Sequence, residues 1–351
     1  MLYGLVVAVR NFLYNKGILP SKEYDIPVIC VGNLAAGGTG KTTHVDYLVS
    51  LLKPHFRVAV LSRGYKRASR GFRIVTALDT VAMAGDEPLQ LAMKHGDITV
   101  AVDRNRNNGI AEIERQRPGT EVIIMDDGFQ HRSVTPGISV VLTEYSNLYI
   151  SDCLLPCGML REHRSNIRRA DIILVTKTPV TLSPMDRRIT FRNIGKYPYQ
   201  ELYFTTLKYG RPVPVFPEKA RSIEDIGDAG GKEVLLVTGI ANPAPLVDYI
   251  KSFAAEVRLA AFPDHHQFTA AEIGNLKQQY QSADDRQLFI FTTEKDAIRL
   301  RMAEGLPEWF TSSVWYIPVE AEFLNNDTEE FNNYIIKYVR KNKGNSRLPG
   351  Q

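Results

Sequence analysis

Cysteine is scarce: Cys30, Cys153 and Cys157 are the three in 351 residues. They lack C-x-x-C pairing and have no double histidine nearby, which argues against a metal cluster or disulfide framework and fits a reducing cytoplasm. Cys30 falls within an apolar run and is expected to pack as a small apolar side chain. Charge of one sign is not in excess either. A net +4 is too small to imply nucleic-acid binding by itself, and no nucleic-acid partner is expected. No apolar run approaches the ~20 residues that span a bilayer, and repeats and low-complexity tracts are missing. What remains, 44% hydrophobic and 23% charged residues, is the composition of a globular protein, ordered throughout except for the tail 341–351. This length suggests two domains.

The stretch IPVICVGNLAAGGTGKTTHVDY, Ile26 to Tyr47, reads as a buried strand, a glycine-rich turn and the start of a helix. Ala35-Ala36-Gly37-Gly38-Thr39-Gly40-Lys41-Thr42 fits the phosphate-loop pattern except at its first position, where alanine replaces glycine. Gly37, Gly38, Thr39 and Gly40 can still wrap backbone N–H groups around a polyphosphate at a helix N-terminus, with Thr43 opening the helix. Lys41 would reach the β- and γ-phosphates, and Thr42 would offer its hydroxyl to Mg²⁺. The bland alternative is a turn that only reverses the chain.

Further short apolar runs at Val58–Ser62, Ile98–Val102, Val122–Met125, Ile138–Leu142 and Ile172–Val175 alternate with helical stretches. This predicts an α/β fold of the phosphate-loop NTPase kind, a mainly parallel sheet with helices on both faces. Ligands in such sheets lie beyond the carboxyl ends of the strands. Residues 194–215, rich in Tyr, Pro and Gly, read as extended connectors. Alternation restarts at Val234–Thr238, predicting a smaller second α/β domain that ends with a strand at Val314–Val319. The expected division is an amphipathic helix at 1–16, a phosphate-loop domain at 17–195, the smaller domain with its linkers at 196–325, and a C-terminal helix and tail at 326–351.

Glu121 to His131, EVIIMDDGFQH, places Asp126 and Asp127 at a strand end, as a Walker B strand delivers carboxylates to a metal. One or two suffice for Mg²⁺, which keeps several waters. Asp86 and Glu87 precede a helix; spacing favours Asp86 as a helix cap over a general base. Asp264-His265-His266 and Thr293-Glu294-Lys295-Asp296 each follow a predicted strand, and for both a functional and a structural role stay open. Guanine selectivity would want an Asn-Lys-x-Asp tetrad, which is missing, so ATP is favoured over GTP.

Residues 1–20 carry a helical apolar stripe of Leu2, Leu5, Val6, Val9, Phe12 and Leu13. Either an interfacial membrane helix or a helix packed on its own domain satisfies this pattern. Basic clusters at Arg63, Lys66, Arg67, Arg70, Arg73 and at Arg161, Arg164, Arg168, Arg169 suit solvated loops or contact with anionic groups.

The segments VGNLAAGGTGKTT, LSRGYKR, GDEP, MDDGFQHR, LPCGMLRE, FPDHHQF and FTTEKDA, in this order between residues 31 and 297, together resemble the tetraacyldisaccharide 4′-kinase family, the lipid A 4′-kinases. Cys157 departs from the small residue usual before the Gly of the LRE segment. The resemblance implies a peripheral membrane kinase using ATP and Mg²⁺ to phosphorylate the 4′-hydroxyl of tetraacyldisaccharide 1-phosphate, giving lipid IVA. It implies a monomer on the cytoplasmic face of the inner membrane of a Gram-negative-type bacterium, with a two-stranded linker between the domains and catalysis in a cleft between them.

The same resemblance makes Asp86 the catalytic base and His265 its partner. It gives Lys41 and Arg161 the charge on the transferring phosphoryl group, and Thr42, Asp126 and Glu87 the Mg²⁺. Asp127, Gln130 and His131 lie near metal or phosphates, and Arg63 is a further phosphate candidate. The rival reading is a soluble phosphate-loop NTPase acting as an assembly or metallochaperone switch.

Overall fold

The computed structural model describes residues 2–220, 229–279 and 289–343. The tail beyond 343 lies outside the described residues. Two compact units emerge: the larger runs to Lys208 and resumes at Glu320, and the smaller is Tyr209–Val319.

The larger unit begins with α1 (Leu2–Asn15), β1 (Val28–Asn33), α2 (Lys41–Leu52), β2 (Val58–Ser62), β3 (Arg73–Val75), α3 (Val81–Ala84) and α4 (Asp86–Lys94). It continues with β4 (Thr99–Val102), α5 (Arg106–Gln116), β5 (Val122–Asp126), β6 (Ile138–Glu144), β7 (Ile172–Thr176), α6 (Pro184–Ile194) and β8 (Glu201–Tyr209). The smaller unit holds β9 (Val213–Pro214), β10 (Glu233–Thr238), α7 (Ala244–Lys251), β11 (Glu256–Ala261), α8 (Ala270–Gln279), β12 (Phe289–Thr293), α9 (Glu294–Arg301), α10 (Glu308–Thr311) and β13 (Val314–Ile317). The chain then returns through β14 (Val319–Phe323) and α11 (Thr328–Lys343).

The large sheet has the order β14-β8-β7-β6-β1-β5-β2-β4-β3. Its pairs from β8 to β4 are parallel, and β3 is antiparallel to β4. β1, β2, β5 and β7 are buried along their whole length, as their β-branched runs foretell for a sheet covered on both faces. Pairing β1 with β5 sets Val31 opposite Asp126. The acidic strand end thereby lies beside the strand that feeds the phosphate loop.

The division of the chain departs from the expected one at two places. Residues 201–209, expected as connector, form β8, which pairs parallel with β7 and has its centre buried. The strand expected at Val314–Val319 breaks at Pro318, whose missing N–H cannot continue a ladder. Val319 starts β14 in the large sheet, beside β8. The two segments joining the units are tied where the Gly210 N–H donates to the Pro318 carbonyl at 2.9 Å. The last helix, α11, belongs to the larger unit: Phe331 packs on Tyr47, Tyr203 and Phe323.

The smaller unit is built on a five-stranded sheet, β11-β10-β12-β13-β9, parallel except for β9. Leu235, Val237, Ile290 and Val314 share one core cluster with Phe268, Ile273 and Phe310.

Candidate active site

The turn after β1 is shaped by its glycines. Gly40 occupies the N-cap of α2 with φ 84°, a left-handed conformation that costs glycine little. A Cβ on Gly38 would meet nothing within 4 Å, so the loop faces open space on that side. Ala35, at the position where the pattern has glycine, pairs its backbone with Leu160, and Ala36 N–H donates to the Met159 carbonyl at 2.7 Å. An extended alanine satisfies that role. Thr176 Oγ1 donates to the Thr39 carbonyl at 2.9 Å. Below the loop, His44 bonds the Gly40 carbonyl through Nδ1 at 2.8 Å and Thr205 Oγ1 through Nε2 at 2.9 Å. Burial lowers its pKa to about 4, so it stays neutral.

Asn33, at the end of β1, had no role in the sequence reading. It is buried, and its Nδ2 donates to Thr39 Oγ1 at 2.9 Å while Oδ1 accepts from Lys41 Nζ at 3.2 Å and from Arg161 Nη2. Its carbonyl accepts from Gln130 Nε2 at 2.6 Å. This one residue thus meets four groups of the site, three through its side-chain amide and Gln130 through its carbonyl, and the only hint in the sequence is its place at the strand end.

Asp127 completes this node. Arg161 reaches it with both terminal nitrogens, and Lys41 Nζ lies 3.6 Å from Oδ1. Burial alone would raise its pKa, but Lys41, Arg161 and Arg106 hold the carboxyl well below the usual range. Its neighbour behaves oppositely. Burial, then Glu87 and Asp127, push Asp126 up to about 6 against the pull of Lys41. Ser62 donates to Asp126 Oδ2 at 3.0 Å, whereas buried Oδ1 has no hydrogen-bond partner.

Among the described residues no three His, Cys, Asp or Glu side chains form a metal cage by themselves. The orphaned Asp126 oxygen, with the repulsion from Glu87 and Asp127, fits a hard divalent cation completed by water and nucleotide oxygens. Thr42, beside Lys41, is partly exposed at the first turn of α2.

Arg106 is the second residue missed. Fully buried at the start of α5, it donates from Nη2 to the Asp126 carbonyl at 2.8 Å and from Nη1 to that of Asp103. Burial lowers its pKa to about 10, which still leaves it a cation beneath the acidic pair. Burial, Arg106 and then Arg63 lower His131 to about 4, and Arg63 itself is exposed. Cys30 is buried and its thiol is pushed up to about 12 by desolvation, as its packing role requires. Of the first basic cluster, Arg67 bonds Ser69 and the Gly71 carbonyl, and Arg73 pairs with Asp79. Arg67 is buried, and Arg73 keeps a partly exposed side chain.

The cap expected from Asp86 is supplied instead by Gly85, with φ 91°, and Asp86 opens α4 as a buried residue. A side chain on Gly85 would come within 3.1 Å of the Tyr65 carbonyl. The close approach of these two turns fixes where Asp86 starts.

In the smaller unit, His265 has a left-handed backbone, φ 65°. Its Nδ1 lies 3.2 Å from Arg299 Nη2 and its Nε2 3.6 Å from Asp264 Oδ2. His266 instead pairs with Glu272 at 3.1 Å and stacks on Phe262, a packing role.

α1 docks on the larger unit by its polar side. Asn11 Nδ2 donates to Glu162 Oε2 at 3.0 Å, the Tyr3 hydroxyl to the Arg161 carbonyl at 2.8 Å, and Arg10 to the Gln130 carbonyl. Arg132 donates back to the Asn11 carbonyl at 2.8 Å. Leu5, Val6, Val9 and Phe12 are each at least half exposed. The helix packs on its own unit and turns an apolar stripe outward. Among the described residues no helix is long and apolar enough to cross a membrane.

The model of the tetraacyldisaccharide-1-P 4′-kinase family matches residues 1–340. The chain belongs to that family. It is 43% identical to the tetraacyldisaccharide 4′-kinase of Bacteroides thetaiotaomicron, covering 98% of this chain and 93% of the relative. To that of Phocaeicola vulgatus it is 45% identical, over 99% and 95%. Among solved structures it is similar to LpxK from Aquifex aeolicus in complex with ATP, with TM-score 0.73, 28% identity and 96% of each chain covered. The family placement confirms the phosphate-loop kinase fold and disfavours the switch NTPase.

Proposed function

We propose that this protein transfers the γ-phosphate of ATP to the 4′-hydroxyl of tetraacyldisaccharide 1-phosphate, giving lipid IVA, as a monomer on the cytoplasmic face of a Gram-negative inner membrane. One observation carries the reading: in a chain of this family, Lys41, Arg161, Asn33 and Asp127 form one connected cluster on a phosphate loop. Gly37, Gly38, Thr39, Gly40 and Thr43 complete the backbone cradle for the nucleotide, and Lys41 and Arg161 neutralise charge on the transferring group. Thr42, Asp126, Asp127 and Glu87 would hold Mg²⁺, which would neutralise further phosphate charge.

The acceptor oxygen forms its bond to phosphorus as the bond to ADP breaks, and its proton goes to Asp86. His265 is assigned to support that carboxylate. Gln130, His131 and Arg63 contact phosphate oxygens. The outward stripe of α1 meets the bilayer, where the acyl chains of the substrate remain.

The test is transfer of labelled γ-phosphate from ATP to tetraacyldisaccharide 1-phosphate in detergent micelles. Wild type should label the lipid, and Asp86→Ala and Lys41→Ala should each lose ~10²-fold or more of the rate. Free nucleotide hydrolysis by wild type without lipid labelling would return the switch NTPase to consideration.

A further inference from the structure

The segment Thr293-Glu294-Lys295-Asp296 takes no part in the phosphate chemistry above, yet it encloses a fully buried carboxylate. Asp296 Oδ2 accepts from Thr293 Oγ1 at 2.7 Å, from Thr238 Oγ1 at 3.1 Å and from the Gly239 N–H at 3.0 Å. Its Oδ1 accepts from Arg299 Nη1 at 2.8 Å. A buried carboxylate with this many donors is held in one place.

Arg299, also buried, passes that order on. Nη1 donates to the Gly239 carbonyl at 3.2 Å, and Nη2 faces His265 Nδ1 at 3.2 Å. The same carbonyl accepts from the His265 backbone N–H at 3.2 Å. Gly239 is tightly enclosed: an added Cβ would lie 3.1 Å from the Pro263 carbonyl and 3.3 Å from Asp296 Oδ1. One backbone carbonyl therefore locates both the arginine and the histidine.

A guanidinium has donors and no acceptor. Its hydrogen bond to Nδ1 requires a lone pair there, which leaves the ring proton on Nε2. We propose that Asp296 and Arg299 are positioning residues for the reaction: they fix the His265 ring and hold it as the Nε2–H tautomer. This rests on the kinase reading, in which His265 assists Asp86. The Nε2–H then lies on the ring edge away from Arg299, where Asp264 Oδ2 is 3.6 Å from Nε2, whereas the Nδ1–H tautomer would turn its donor towards a cation. The (i, i+3) spacing of Asp296 and Arg299 on α9 and the threonine at the end of β12 have a function in this arrangement.

The full-length protein, ¹⁵N-labelled at histidine, tests this through long-range ¹H–¹⁵N correlation at pH 7.5, with His265 assigned by the signals lost in His265→Gln. The expected spectrum has a pyridine-like Nδ1 and a pyrrole-like Nε2; any other protonation pattern overturns the proposal without recourse to a variant. Arg299→Met should then lose the single tautomer and reduce kcat by about tenfold with KM for ATP and lipid within about twofold, and Arg299→Lys should restore most of the loss. Wild-type kcat in folded Arg299→Met also overturns it; if that variant does not fold, the wild-type spectrum decides. Failure of wild type to phosphorylate the lipid would refute the kinase reading instead, because the tautomer is measured without substrate.

Discussion

Arg161 holds Asp127 through a two-pronged contact, Nη1 to Oδ2 at 3.1 Å and Nη2 to Oδ1 at 2.9 Å. Lysine keeps the charge but not the planar fork. If Arg161 acts on the transferring group as proposed, Arg161→Lys should lower kcat by roughly 10–100-fold through loss of an aligned donor, while KM for ATP changes little. Steady-state kinetics in micelles would show it; a KM effect with kcat intact would make Arg161 a binding residue only.

Asn33 ties the phosphate loop, Lys41 and Arg161 together from a buried position. Asn33→Ala removes bonds to charged partners, each worth about 1.5–3 kcal/mol. Loss of kcat by ~10²-fold, together with a lower Tm, is expected from activity and thermal-melt measurements on the same preparation. A variant as active as wild type would show that the node is incidental.

Asp126 predicts a pH signature. Its folded pKa is raised from 3.8 to about 6 by burial and by Glu87 and Asp127. The stability it contributes is therefore fully present below the unfolded value and lost as pH rises through about 6. A cation competing for the ionised form stabilises by mass action. Mg²⁺ should consequently raise Tm more at pH 7.5 than at pH 5, and Asp126→Asn should flatten the difference. Equal shifts at both pH values would remove Asp126 from the metal site.

For α1 the structure selects the experiment. Deleting the helix would also strip the contacts of Tyr3, Arg10 and Asn11 with the Arg161 and Gln130 segments. Leu5→Ser with Val9→Ser alters only the outward stripe, where each surface change costs within ~0.5 kcal/mol. Flotation with anionic liposomes should fall while Tm holds. Unchanged flotation would deny the stripe its role.

The phosphate loop and Asp126-Asp127 were legible because their chemistry is written in contiguous residues on buried strands. Asn33 and Arg106 were not, since their value arises from contacts with residues far along the chain, Arg161 and Gln130 for Asn33 and the Asp126 carbonyl for Arg106. β8 was hidden by Pro198 before it and Gly210 and Pro212 after it, which read as punctuation although Leu202–Thr206 is buried. Periodicity found the stripe of α1 but could not say which side docks, and the polar side does. Asp86 looked like a cap because acidic residues before helices usually are; Gly85 takes that position through a backbone conformation that spacing does not reveal.

The central claim is best tested by identifying the product. Incubating the wild-type protein with ATP, Mg²⁺ and tetraacyldisaccharide 1-phosphate, then recording ³¹P and ¹H–³¹P correlation spectra of the extracted lipid, should give one new phosphomonoester coupled to the 4′ proton, the 1-phosphate intact, and one ADP per product. Inorganic phosphate with unchanged lipid, or a new phosphate on any other oxygen, would contradict the account.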